Sequence, residues 1–160
     1  MTTDAASAYT PPIPKPARVL GLAGVIPFAA GALAVWVAPA EYQFAAFTAQ
    51  TLYAAVILSF LGGVQWGFAA AGLGPGAGPS WERLGWSVLP SLLGWAALFL
   101  DPTAKVAVLM LGFLAAFMID RRWTQLGRCP PWYARLRRDL TALVTLSLGV
   151  SLMATFIYAA

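Results

Sequence analysis

Five apolar stretches constrain this chain more than any other feature of it: about Ala17–Val37, Phe44–Ala71, Leu84–Leu100, Thr103–Ile119 and Leu140–Ala159. An α-helix rises about 1.5 Å per residue, so a hydrocarbon core of about 30 Å needs about 20 residues. The first, second and fifth stretches reach that length. The third and fourth are short, and need flanking Arg, Lys and Trp side chains to reach the interfaces. Of the 160 residues, 60% are hydrophobic and 10% charged, against about 45–50% and about 25% in ordinary soluble domains. A chain this small leaves about a third of its unfolded surface exposed after folding, so it cannot hide such an excess. A soluble enzyme is excluded. The expected fold is all-α: a polytopic bundle of five transmembrane helices forming one domain over 17–160, behind a Pro-rich cytoplasmic tail at 1–16.

Two details near the N-terminus bear on sorting. Ala38-Pro39-Ala40 mimics a signal-peptide cleavage site, but the preceding apolar stretch exceeds the usual 7–15 residues, so it reads as a span. The tail contains no Arg, unlike a mitochondrial presequence, which points to a bacterial inner membrane.

The missing residues exclude much chemistry. With no His and one Cys, there is no His-ligated haem, no catalytic zinc and no usual general base; Cys129 has no internal disulfide partner. No cofactor and no metal are expected. The six acidic residues (Asp4, Glu41, Glu82, Asp101, Asp120 and Asp139) lie in the tail, in loops or at span ends. A carboxylate at mid-depth is the usual mark of an ion pump or proton-coupled transporter, and none is found.

The net charge of +4 is explained by topology rather than nucleic acid. Lys15 and Arg18 precede the first stretch and Arg83 the third, while Arg121, Arg122, Arg128, Arg135, Arg137 and Arg138 separate the fourth from the fifth. An N-in, C-out arrangement puts nine cations inside and leaves only Lys105 outside. Trp66, Trp81, Trp86, Trp123 and Trp132 then line the inner interface, with Trp36, Tyr42 and Tyr158 at the outer one. The arginine-rich inner face is expected to meet anionic lipid head groups.

Packing signals sit in the first two stretches. Ala55, Ser59, Gly63, Gly67 and Ala71 recur every four residues, a small-residue ladder that admits another helix closely. Gly21, Gly24, Pro27 and Gly31 make a second smooth face, and Pro27 and Pro90 should kink their helices. The neutral polar residues within the spans are expected to hydrogen-bond between helices. Gln65 beside Trp66 is the pair to watch, since an amide and an indole can hold a head group or a quinone carbonyl.

Local chemistry marks the span ends. Asp101-Pro102 supplies a cap and a first-turn proline, and Ser80 with Glu82 does similar work before the third stretch. The Gly- and Pro-rich 72–79 segment reads as a flexible linker. After Pro131, the residues Trp132, Leu136, Leu140 and Leu143 form an apolar stripe with an Arg135–Asp139 pair at i,i+4, an amphipathic lead-in at the membrane surface. Asp120 is expected to form a partly buried ion pair with an arginine of the same loop, joining the fourth and fifth spans.

Three segments carry a family resemblance. They are Leu20-Gly21 through Ile26-Pro27-Phe28, the run Tyr53 to Gly67 containing Ser59-Phe60-Leu61-Gly62-Gly63-Val64-Gln65-Trp66-Gly67, and Pro131-Trp132-Tyr133 with Leu136-Arg137 and Leu140-Thr141. Together they resemble the transmembrane protein 69-like family, a group defined by a domain of unknown function (3429). The resemblance implies a small multi-span protein of bacterial inner membranes or mitochondria and brings no reaction with it. Its shared residues are Pro27, Phe28, Ser59, Gly62, Gly63, Trp66, Gly67, Asp120, Trp132, Tyr133, Arg137 and Thr141.

Two functional readings stand. One is a non-catalytic accessory or assembly subunit docking through its small-residue faces on a larger integral membrane complex, an energy-transducing one. The other is a small carrier or binding protein for a neutral solute, lipid or quinone. An enzyme is disfavoured for want of nucleophile, base and metal site.

Overall fold

A computed structural model describes residues 11–75 and 78–158. Among these the chain is all-helical: α1 (Lys15–Ala23), α2 (Ile26–Val37), α3 (Ala40–Ala70), α4 (Trp81–Ala97), α5 (Pro102–Gln125) and α6 (Tyr133–Tyr158). Most of the 1–16 tail, the middle of the linker and the Tyr158 side chain fall outside the described residues.

Four helical segments are long and apolar enough to cross a membrane: α1 with α2, α3, α5 and α6. The 17 residues of α4 rise only about 25 Å. Large apolar side chains stay exposed all around the bundle, among them Phe60 (63%), Leu111 (65%) and Leu146 (67%). In water such a belt would drive aggregation; against acyl chains it is the solvated surface.

Pro27 sits in the first turn of α2 and marks a break, with Gly24 and Val25 forming a turn between α1 and α2. Proline lacks the N–H that would continue the ladder. The Tyr53 hydroxyl donates to the Gly24 carbonyl there at 3.1 Å. One turn on, the buried Gln50 amide donates to the Phe28 carbonyl at 2.9 Å. Gly31 lets this happen, because a Cβ there would stand 2.7 Å from Gln50 Cβ. So the smooth face of the first span packs on α3 through Gly24, Phe28 and Gly31, while Gly21 turns to Leu140 of α6 and Pro27 is exposed.

The core gathers Phe28, Leu58, Leu109, Phe113 and Leu148, each no more than 1% exposed. Phe28 meets Phe113 edge-on at 5.8 Å and Tyr53 at 5.1 Å. Caps follow the local chemistry: Asp101 accepts from Thr103 and Ala104 N–H, both at 3.1 Å, and Ser80 from Arg83 N–H at 3.2 Å.

The small-residue ladder of α3 is not the seam. A Cβ on Gly63 or Gly67 would meet nothing within 4 Å, whereas one on Gly62 would lie 2.1 Å from the Ser87 carbonyl of α4. Helix geometry explains the correction. Residues four apart drift about 40° per step, so a five-rung ladder spirals off any straight seam; residues seven apart drift only about 20°. The residues that stay inside are Ala55, Leu58, Gly62, Gln65 and Ala69, spaced alternately three and four. Gly94 of α4 completes the close approach, its Cβ position 3.2 Å from Ala55 Cα.

Other expectations also change. Most span hydroxyls bond within their own helix, for example Ser59 to the Ala55 carbonyl (3.0 Å) and Thr145 to the Thr141 carbonyl (2.8 Å). Among hydroxyl pairs, Thr103 with Thr155 at 3.0 Å joins two helices. Arg135 does not pair with Asp139: it donates to the Pro11 carbonyl, and Asp139 pairs with its neighbour Arg138 at 2.9 Å. The lead-in is not a separate surface helix but the first turns of α6, beginning at Tyr133. The linker is held at its start, where Gly74 (φ +93°) packs so closely on the Gly127 carbonyl that a Cβ would come within 2.6 Å.

Candidate functional site

The most unusual chemistry of the molecule lies at the end where the α5–α6 loop meets the linker. Apolar α5 would stop at Ile119 if the charge that follows had to reach water. Instead the helix runs on to Gln125 with Asp120 only 2% exposed. Burying a lone carboxylate costs several kcal/mol, so its partners must be close and well directed. Arg137 Nε donates to Asp120 Oδ2 at 2.7 Å, with both side chains 5% exposed or less. The Gln65 amide donates to the other oxygen, Oδ1. The Tyr133 hydroxyl lies beside the same carboxylate.

Three helices thus meet on one carboxylate. Tyr133, Arg137 and Thr141 stand at i, i+4 and i+8, so α6 presents one polar stripe inward, and all three are buried. The adjacent stripe, with Leu136 and Leu140, packs on Gly21 of α1. The arginines beside Asp120 split the other way: Arg121 and Arg122 are exposed.

Cys129 closes the cluster from the loop. Its thiol lies 3.6 Å from Gln65 Oε1, and burial pushes its pKa up to about 11. Thiolate chemistry is therefore suppressed at neutral pH. Trp123, Cys129 and Tyr133 form a second apolar cluster, with Trp132, Phe68 and Trp86 packed on it. Trp123 is 3% exposed, so it is a core residue here and not an interfacial anchor.

A fourth helix joins through Arg83, which charge counting treats as one of nine interfacial cations. It is 2% exposed. Its guanidinium donates to the Leu73 carbonyl at 3.2 Å and the Arg128 carbonyl at 3.4 Å. It also stands 6.0 Å from the centroid of the Trp123 ring, within cation–π range. Nothing in the sequence distinguishes Arg83 from a solvated arginine; its burial follows from the docking of linker on loop. Arg128 in turn pairs with Glu82 at 3.3 Å.

The Gln65–Trp66 pair does not form a site. Adjacent helix residues point about 100° apart: Gln65 faces Asp120, while Trp66 is 48% exposed. The motif run is therefore divided. Gly62 and Gln65 face inward, and Phe60, Gly63, Trp66 and Gly67 face outward, with Ser59 half-buried between.

Such an arrangement ties α3, α5 and α6 together at one end of the bundle. Apolar spans, an exposed lipid-facing belt and a buried polar knot at one end define a small polytopic α-helical membrane protein. Residues 13–153 match the family described as Protein of unknown function (DUF3429), and the chain belongs to that family. It is 44% identical over 147 residues to Transmembrane protein 69 of Xenopus tropicalis, covering 91% of this chain and 56% of that protein. The corresponding protein of Mus musculus is 34% identical over 145 residues, covering 91% of this chain and 58% of the relative. The chain spans a little over half the length of these relatives. No solved structure matches.

Proposed function

We propose that this membrane protein is a non-catalytic accessory or assembly subunit of a larger integral membrane complex, an energy-transducing one. The observation that carries the reading is the outward half of the α3 motif. Gly63 and Gly67 are open, with no neighbour within 4 Å of a Cβ, and they are flanked by Phe60 and Trp66, 63% and 48% exposed. Two glycines cost a helix about 1 kcal/mol each relative to alanine, and a lipid-facing surface gains nothing from them. A partner helix does, because it can approach closely there and pack against the aromatic shoulders.

The same reading takes the chain as five spans, N-in and C-out, in a bacterial inner membrane, with α4 as the short fifth span. It takes membrane lipids with anionic head groups as partners at the arginine-rich face and excludes nucleic acid. Its support is the nine-to-one cation bias together with the exposed Trp66 and Trp81. Reporter fusions at Ala160 and beside Cys129 test the orientation: an exported Cys129 with a cytoplasmic Ala160 refutes it.

Docking is tested by Gly63→Leu, with Ala115→Leu on the exposed side of α5 as control. The Gly63 variant purified alone should fold and melt like the wild type, while stoichiometric co-purification with one complex in mild detergent fails. Wild-type co-purification of Gly63→Leu would mean the face meets lipid. Gly72, in the linker, is unsuitable as a control, since its φ of +66° is one that side chains resist.

A second reading, a lipid or quinone binder, is favoured by a different feature. An open cavity of about 430 Å³ lies at the other end of the bundle, lined by Val35, Phe44, Phe47 and Ala154 with Gln43 and Asp101 at its rim. Lipid or quinone retained there in a monodisperse lone protein would support this reading over docking.

A further inference from the structure

The loop's six arginines are not equivalent once the structure assigns their partners. Arg137 pairs with Asp120, Arg128 with Glu82 and Arg138 with Asp139, and Arg135 donates to the Pro11 carbonyl. Arg121 and Arg122 are left with no carboxylate partner among the described residues. Their neighbour Asp120 offers them nothing, because both its oxygens are engaged inside the bundle.

These two guanidiniums share one stretch of surface. Met118, Ile119, Arg121, Arg122 and Gln125 line an open groove of about 410 Å³. Met118 with Arg121 and Arg122, and Arg121 with Gln125, stand three or four apart, so they are neighbours on the helix surface. Arg121 lies 19 residues beyond Pro102, which opens α5. At about 1.5 Å per residue that is about 29 Å along the axis, the depth of a hydrocarbon core. Met118 is 58% exposed on the apolar side of that boundary. The guanidiniums and the Gln125 amide stand on the polar side.

We propose that this groove is a binding site for one anionic phospholipid, its phosphate held by Arg121 and Arg122 and the start of an acyl chain lying on Met118 and Ile119. The proposal rests on the membrane-spanning reading of α5 and refines the expectation of lipid contact to one site. Guanidinium and phosphate match as bidentate, charge-assisted partners. The C-terminal end of α5 contributes about half a negative charge, too little to neutralise two cations. A zwitterionic lipid would bring its own cation to the same place, so the site should prefer phosphatidylglycerol to phosphatidylcholine.

The test uses the full chain in mild detergent, titrated with phosphatidylglycerol or phosphatidylcholine, with lipid adducts counted by native mass spectrometry. The wild type should retain phosphatidylglycerol preferentially. Arg121→Gln/Arg122→Gln should lose about thirtyfold in phosphatidylglycerol retention, given the attraction each basic residue near a membrane surface supplies, with its melting temperature unchanged. Arg18→Gln/Arg138→Gln removes the same charge elsewhere and should bind as wild type. Should the double variant fail to fold, R121Q and R122Q singly should each lose part of the retention. Equal loss in the Arg18/Arg138 control would overturn the proposal in favour of a diffuse basic face. Equal retention of phosphatidylcholine, or full displacement by inorganic phosphate, would also overturn it. The Gly63→Leu outcome is independent of all of these, so failure here and failure of docking are told apart.

Discussion

Gly62 and Gly63 are neighbours in sequence and opposite in surroundings, so alanine at each makes a matched pair. A Cβ on Gly62 would stand 2.1 Å from the Ser87 carbonyl oxygen, where ordinary contact begins near 3.4 Å. The obstacle is backbone, backed by Pro90 Cδ at 3.6 Å, and no rotamer change can clear it. α4 must therefore retreat by about 1.3 Å, which also loosens the Gly94–Ala55 contact farther along the seam. Overpacking of this kind costs about 1–3 kcal/mol, and alanine's better helix propensity returns about 1 kcal/mol. Gly62→Ala should therefore lose up to about 2 kcal/mol. Gly63→Ala meets nothing and should gain up to about 1 kcal/mol. Thermal unfolding of each purified protein in mild detergent, followed by tryptophan fluorescence, reads the difference. Gly62→Ala should melt below the wild type and Gly63→Ala at or above it. The reverse order would refute the reasoning, because it would place the four-residue ladder on the seam and turn α3 outward along Gly62.

Asp120→Asn should lower stability by about 3–5 kcal/mol, because it strands the Arg137 charge in the interior. Asp120→Leu/Arg137→Leu should lose less than the sum of the single changes in the same melt, and strict additivity would mean the two groups do not interact. Cys129 should alkylate about a hundredfold more slowly in the folded protein than after unfolding in detergent, with the rate climbing to about pH 11 as its thiolate forms. Because the folded thiol titrates above its ordinary value of 9.0, its contribution to stability is present below about pH 9 and is lost towards pH 11. Equal rates in the folded and unfolded protein would place Cys129 in solvent.

The helices were legible because a membrane reduces the problem to length and polarity, and caps such as Asp101 and Ser80 act within one turn. Rotation of each helix about its axis was not legible. The ladder from Ala55 to Ala71 is the clearest pattern in α3, yet only its first rung is on the seam, since the pattern records small size and not which neighbour needs it. Asp120 could be singled out because a carboxylate beside a span end has few ways to be satisfied. Arg83 could not, because its partners are carbonyls of the linker and loop, and backbone carbonyls leave no trace in sequence. Gln65 was visible as a polar residue in a span, but the adjacent Trp66 suggested a pair that helix geometry forbids. The sequence alone ends α5 six residues early for a related reason: the charge that closes its apolar stretch is silenced by residues from two other helices.

The ionic knot and the open face of α3 are linked through that same geometry. Gln65 is fixed by Asp120 on one side of α3, and Trp66 follows it at about 100° around the axis. Gly63 and Gly67, two residues before and after Gln65, lie about 160° from it in opposite senses, on the far side of the helix. Tying the Gln65 amide inside therefore sets which residues of the motif look out. A slip of one residue in the rotation of α3 would remove Gly62 from Ser87, bury Trp66 against α5 and leave the Asp120 carboxylate short of a donor. The carboxylate left short of a partner alone costs several kcal/mol. The polar cluster thus does more than join α5 to α6, because it holds the outward face of α3 in one orientation. That gives the molecule a structural reason to bury an ion pair, an amide and a thiol together at one end.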